Sequence, residues 1–285
     1  MEPVLPPELE REIFETAAYI DRSDIPALLL VCKRVHQWIE PLLYRSITIV
    51  ARDDSRLLAV QARPAAFLQR NLHHLCVAYN STDTLTGALK TLLSYCPNLR
   101  SLYFDGNLHA DFLPILDNMR PQRLCLWVDK AFAPASWAGS MLTRPMLLCV
   151  THLELYYDQN SELDTALWDW NEWSYLASLP ALTHLCFSEA LSAQLLRPTL
   201  DNCRTLCVLI TLFSNFPTAR AFEPTLTALA GDDPRVVVVV VGQLYEDLES
   251  GFWGEMDFWA RADEFVTRKR SGQTQNVPLN YYLDQ

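Results

Sequence analysis

Residues 72–77 read Leu-His-His-Leu-Cys-Val, with apolar side chains at the first, fourth and sixth places. The same spacing returns at Leu99-Arg100-Ser101-Leu102-Tyr103-Phe104, Val150-Thr151-His152-Leu153-Glu154-Leu155, Leu182-Thr183-His184-Leu185-Cys186-Phe187 and Cys203-Arg204-Thr205-Leu206-Cys207-Val208, with weaker copies at 121–126 and 236–241. Side chains of an extended segment alternate between two faces, so the fourth and sixth residues point one way and the fifth the other. Helical candidates, Thr84 to Cys96 and Ser192 to Asn202, lie between the short strands. Neither layer can bury its apolar side alone, and stacking successive strand-plus-helix units solves the problem for both. The expected class is therefore α/β, with parallel strands.

Taking Leu75, Leu102, Leu124, Leu153, Leu185, Leu206 and Val239 as fourth-place residues gives steps of 21 to 33 residues. These bracket the period of about 20–29 residues of leucine-rich repeats. The array resembles a degenerate member of that architecture, without a regular Asn or Cys ladder, and implies an irregular solenoid with a parallel sheet on its concave face. A generic α/β domain is the alternative. Outward-facing residues then form rows: Cys76, Tyr103, Cys125, Glu154, Cys186, Cys207 and Val240 at the fifth place, with His74, Ser101, Arg123, His152, His184 and Thr205 two residues earlier. Two residues later stand Ala78, Asp105, Trp127, Tyr156, Ser188 and Leu209. Aromatic and Arg side chains anchor protein interfaces, so Tyr103, Arg123, Trp127 and Tyr156 form the expected client-binding patch, unless loops or the C-terminal segment cover that wall.

Ahead of the array, residues 5–44 read LPPELEREIFETAAYIDRSDIPALLLVCKRVHQWIEPLLY. Pro6 and Pro7 suit the entry to a helix, along which Leu9, Ile13, Phe14 and Ala17 form an apolar stripe. Ser23 and Asp24 with Pro26 signal a second helix start. A third stretch carries Val35, Trp38, Ile39, Leu42 and Leu43, with Pro41 expected to kink or restart it. About forty residues cannot hide this many apolar side chains among themselves.

The ordered set Leu5-Pro6-Pro7-Glu8-Leu9, Ile13-Phe14, Leu30-Val31-Cys32-Lys33-Arg34 and Leu42-Leu43-Tyr44 resembles an F-box, in the abbreviated F-box-like form common in fungal proteins. The resemblance implies a three-helix module that binds the small adaptor subunit of SCF-type cullin–RING ubiquitin ligases, while the rest of the chain selects an unknown client protein. By helix-in-groove recognition, Leu5, Pro6, Leu9, Ile13, Leu28, Leu29 and Val31 would be its apolar anchors. A second reading makes the same helices only the cap of the solenoid, in a protein-interaction scaffold.

A formal net charge of −11 and a pI near 5.0 over 285 residues repel phosphate backbones and anionic membranes, so neither nucleic acid nor membrane is expected as partner. The longest apolar runs are too short to span a bilayer. The 8 cysteines are scattered singly, as in a reducing cytoplasmic or nuclear setting. The sequon Asn80-Ser81-Thr82 carries little weight without a secretory signal.

With 8 glycines there is no phosphate-cradling loop, and no metalloprotease or nucleophile-elbow motif occurs. His152, His184, Cys125 and Cys186 fall on neighbouring strands, which makes zinc or a Cys–His pair geometrically conceivable. Nothing in the sequence adds the supporting ligands or an orienting third group. Asp164, Asp169 and Glu172 beside Trp168, Trp170 and Trp173 read better as a helix with a buried aromatic side than as a sugar site. No catalysis, metal or cofactor is expected; a hydrolase or transferase using the concave His and Cys residues is the third reading. The organisation expected is a helical module over 1–48, the repeat domain over 49–242, a C-terminal capping helical segment over 243–270 and a flexible tail over 271–285, whose Tyr281, Tyr282 and Leu283 are apolar enough to return to the body.

Overall fold

A computed structural model describes residues 5–50, 54–79, 83–106, 110–127, 141–156, 170–188, 193–273 and 281–283. The sequon and the acid- and Trp-bearing residues 163–169 lie outside them. Helix α1 (Pro7–Ile20) starts behind Pro6, with Glu8 and Glu10 in its first turn, where the helix dipole favours negative charge. The next start is set by Asp21, rather than Ser23 or Asp24: its carboxylate accepts from the Ser23 N–H at 2.9 Å and opens a 3-10 turn that leads into α2 (Ile25–Leu28). Helix α3 (Lys33–Leu43) runs through Pro41 without restarting, because the proline falls in its last turn. These helices close on Ala18, Ile25, Val35 and Ile39, with Phe14, Leu28, Leu29, Trp38 and Leu42 packed around them.

Among the described residues one nine-stranded sheet follows, all parallel and in sequence order. Its strands are β1 (Ser46–Val50), β2 (His74–Tyr79), β3 (Ser101–Gly106), β4 (Arg123–Trp127), β5 (His152–Tyr156), β6 (His184–Ser188), β7 (Val208–Phe213), β8 (Val236–Val240) and β9 (Tyr281–Leu283). The connections carry α4 (Asp54–Gln61), α5 (Ala65–Asn71), α6 (Asp83–Tyr95), α7 (Leu113–Leu116), α8 (Trp170–Trp173), α9 (Ala193–Asn202) and α10 (Phe216–Ala230). They share one core with a single face of the sheet, where Leu75, Leu102, Leu124, Leu153, Leu185 and Leu209 meet Leu68, Leu92, Leu93, Trp173, Leu196 and Leu226.

At the entry edge, one carbonyl per step accepts from two successive N–H groups of the next unit. Arg45 accepts from His73 and His74, His73 from Arg100 and Ser101, and Arg100 from Gln122 and Arg123. Gln122 then accepts from Thr151 and His152, Thr151 from Thr183 and His184, and Thr183 from Cys207 and Val208. The pattern stops at β8, where Leu209 instead donates to the Arg235 carbonyl.

From β2 to β6 the fourth-place leucines stand opposite one another as the spacing predicts. At β7 and β8 the spacing misleads by three residues: Leu209 and Val236, rather than Leu206 and Val239, align with Leu185. Strand β7 is buried on both faces and reads as continuous apolar sequence, so alternation no longer marks the register. Strand β1 is an additional unit, with Ile47 and Ile49 facing the core opposite Leu75 and Val77.

The C-terminal segment does not cap the end of the array. Helices α11 (Leu244–Phe252) and α12 (Phe258–Arg270) lie across the second face of the sheet, burying Leu248, Phe252, Phe258, Trp259, Phe265 and Val266 against Cys76, Tyr103, Cys125, Cys186, Ile210 and Val237. The end itself is taken by β9, formed within the expected flexible tail and paired with β8 through Tyr281–Leu283.

Candidate functional site

By helical spacing, Leu9, Ile13 and Ile20 share one side of α1, while Phe14 and Ala18 share the opposite side. The second pair faces the module's small core. The first set is exposed, as are Leu5, Pro6 and Val31. Leu28 and Leu29 are half-buried and divide their surface between that core and the outside. Ile20 and Leu30, which were not among the expected anchors, are 81% and 85% exposed. Ile20 was legible from its helical spacing to Leu9 and Ile13. Single exposed leucines are ordinary on a folded protein; a set of them on one small module is not.

The module is also tied to the body. Trp253, in the link between α11 and α12, packs edge-on to Tyr19 with ring centroids 5.6 Å apart and lies under the Arg22 guanidinium. Arg22 reaches Glu255 at 3.2 Å and Glu249 at 3.8 Å.

The four residues expected to bind a client separate into two places. Arg123 lies at the entry edge of β4, beneath α12, and pairs with the buried Asp257. Its expected role in an open patch is thereby corrected: the guanidinium anchors α12. Tyr103 is buried under α11, edge-to-face with Tyr245 at 5.9 Å, and donates from its hydroxyl to the buried Glu154 at 3.3 Å. It too is no open wall residue. Trp127 and Tyr156, at the far ends of β4 and β5, stack at 4.4 Å and are half-buried. Tyr103 and Tyr156 meet again in the lining of a cleft of about 250 Å³ between the ends of the strands and the start of α11. Tyr245, another ring in its lining, comes from a segment that no periodic signal linked to the sheet.

A row of histidines runs along the entry edge under α11 and α12. His74 stacks on Phe252 at 4.4 Å and contacts the Ser101 hydroxyl at 3.0 Å. His152 and His184 stack nearly parallel at 4.0 Å, and the Trp259 ring meets both edge-on. His184 Nε2 lies 3.0 Å from the Asp263 carboxylate of α12. Burial, reinforced by Arg45, His73, Arg123 and Arg100, pushes the His74 imidazole down to about 3. Burial with His184 and Arg123 pushes His152 down to about 2.

Both rings are neutral in the folded protein at pH values where an unfolded chain, titrating near 6.5, begins to bind protons. Stability is thus fully present above about pH 6.5 and falls as pH drops below it, by up to about 1.4 kcal/mol per pH unit for each histidine. Urea midpoints are expected to drop between pH 7.5 and pH 5.5, a window above the ordinary carboxylate range. Replacing His152 by Phe should flatten that slope; an unchanged midpoint in the parent protein would contradict the assignment.

As chemical groups, Cys186 and His152 do not form a usable nucleophile pair. Cys186 is fully buried, and burial with the nearby Glu154 charge pushes its thiol well above the usual range. All eight cysteines are free, and no group of three or more potential ligands suited to a metal ion occurs among the described residues. No helix among the described residues is long and apolar enough to cross a membrane. Comparison with protein-family models, curated proteins and solved structures yields no match.

Proposed function

We propose that the chain is a non-catalytic substrate-recognition subunit of an SCF-type cullin–RING ubiquitin ligase, acting in the cytoplasm or nucleus. Its N-terminal helices, read as an F-box-like module, dock the ligase adaptor. Its sheet domain, read as an irregular leucine-rich-repeat-like solenoid, carries the client. The observation that carries the reading is the outer side of α1 with the turn after α2: Leu5, Leu9, Ile13, Ile20, Leu30 and Val31 are exposed while the module's own core is closed beneath them. An exposed stripe at i, i+4 and i+11 suits a helix laid in a partner's groove.

Purified chain is expected to retain the adaptor in a pulldown. The double variant Leu9→Asp, Ile13→Asp should lose it by about two to four orders of magnitude, from about 1.5–3 kcal/mol of transfer free energy per anchor. Both positions are exposed, so circular dichroism and the unfolding midpoint should not change.

The scaffold reading has its own support in the contacts from Trp253 and Arg22 that fasten the module to the body. Failure of the wild-type protein to bind the adaptor would favour it. The hydrolase or transferase reading has little support, because the histidines and Cys186 on which it depends sit beneath α11 and α12.

A further inference from the structure

At the entry edge the same place in three successive units is held by Arg45, His73 and Arg100, whose carbonyls each accept from two N–H groups of the next unit. Neighbouring strands lie about 4.8 Å apart, so the two arginines flank the imidazole. Their charge is not cancelled from within. Arg45 donates to the Tyr19 hydroxyl at 2.6 Å, a neutral partner, and its buried Nε finds no acceptor among the described residues. Arg100 is exposed, and no carboxylate of the described residues pairs with either guanidinium. Carboxylates on the flanking elements are committed elsewhere: Glu40 of α3 to Arg63, Glu249 of α11 and Glu255 beyond it to Arg22, and Asp257 to Arg123. The imidazoles register this imbalance. Burial, then Arg100 and Arg45, holds the His73 ring below its ordinary range, and the same two arginines act on His74 with no carboxylate opposing them.

We propose that Arg45, His73 and Arg100 form a binding site for one phosphate monoester carried by a partner protein, such as the side chain of phosphoserine. Arginine does not give up its charge in a protein, so the two guanidiniums stay positive on a chain whose formal net charge is −11. A phosphate monoester carries about −1.5 to −2 at pH 7 with three acceptor oxygens, and guanidinium forks bind it through paired N–H groups. Two guanidiniums thus match one such group, where a single carboxylate would leave positive charge over. A nucleic acid or an anionic membrane would bring many more negative charges against the acidic remainder of the chain. The row forms a rim, and Gln122 takes the same place in the fourth unit, exposed, with an amide able both to donate to and to accept from a peptide backbone. That favours a phosphate attached to a protein over free phosphate.

The protein-borne source rests on reading the chain as a client-binding subunit; the phosphate site itself does not, and its test leaves the adaptor out. Acetyl-Gly-phosphoserine-Gly-amide, its serine and glutamate counterparts and inorganic phosphate are each titrated into the full-length protein and followed by NMR. The phosphopeptide should saturate and the serine peptide should not. The glutamate peptide and inorganic phosphate should bind about tenfold or more weakly than the phosphopeptide, a difference of about 1.4 kcal/mol.

Arg100→Ala, at an exposed position, should weaken the phosphopeptide about tenfold or more with an unchanged unfolding midpoint, and Arg100→Lys should restore part of the loss. Arg204→Ala removes an equal charge from an exposed site ahead of β7 and should leave the titration as it was. Absence of saturable binding by the phosphopeptide, or wild-type binding by Arg100→Ala, overturns the site, as does an equal loss in Arg204→Ala. A glutamate peptide that binds as tightly overturns the phosphate preference. Equal binding by inorganic phosphate overturns the protein-borne source and keeps the anion site. Failure to bind the adaptor with the phosphopeptide titration intact would sink the ligase reading and leave the site standing.

Discussion

An Asp257→Ala variant is expected to lose about 3 kcal/mol of unfolding free energy, the lower part of the range for breaking a buried ion pair. Asp257 is 1% exposed and does three things at once. Its carboxylate accepts from the Ala260 N–H at 2.9 Å and so caps α12, it pairs with Arg123 of β4, and it packs against Gly251, where a Cβ would stand 2.4 Å from its Oδ2. Alanine removes the cap, typically worth about 1 kcal/mol, and leaves the Arg123 guanidinium beneath α12 without its partner. That side chain is about a third exposed, 33%, so water relieves part of the cost, which is why the upper part of the range is not expected. Asp257→Asn keeps a capping oxygen while removing the charge and should fall between the two in urea denaturation. Equal stability of all three would show that α12 is not held through Arg123.

Ending the chain after Val241 should abolish the soluble monomer altogether. The truncation removes α11, α12 and β9, and uncovers Val208, Ile210, Leu212, Val237 and Val239 on one continuous face beside an unpaired β8 edge. A run of β-branched residues with no charge and an open edge is a template for association, and apolar patches beyond a few hundred Å² are rare on soluble monomers. Size-exclusion chromatography should find aggregate or no soluble protein. A truncated chain eluting as a well-folded monomer would mean that the two helices are an accessory laid on a self-sufficient sheet.

The strands were legible because each of β2 to β6 is wet or polar at some outward positions and regularly apolar inward, so the spacing of Leu72, Leu75 and Val77 has a period to reveal. Legibility failed where that contrast vanishes. In β7 the residues facing α12 are as apolar as those facing α10, and Leu206, a first-place residue, passes for a fourth-place one. Strand β1 escaped because Tyr44 stands where Leu72, Leu99, Val150 and Leu182 open the clearest of the later units.

The outer stripe of α1 was readable from helical periodicity. Its separation from Phe14 needed the position of α3, since one turn offers apolar residues to both sides. Arg123 and Tyr103 have the chemistry of interface anchors, but their partners, Asp257 and Tyr245, lie more than a hundred residues away in sequence. No local pattern announces that the last helices fold back over the sheet; it follows only from the need to cover the second face of β7 and β8.

The twice-accepting carbonyls at the entry edge bear on how such a protein can change. Each unit from β2 to β7 is set to zero by its predecessor at a single backbone oxygen, before its strand begins. Residues gained or lost in a connection are then absorbed within that connection, and the error is not handed on to later units. Lineages carrying this fold can thus lengthen or shorten individual crossovers independently, with new surface appearing at the opposite rim while the alignment of the remaining strands stays untouched.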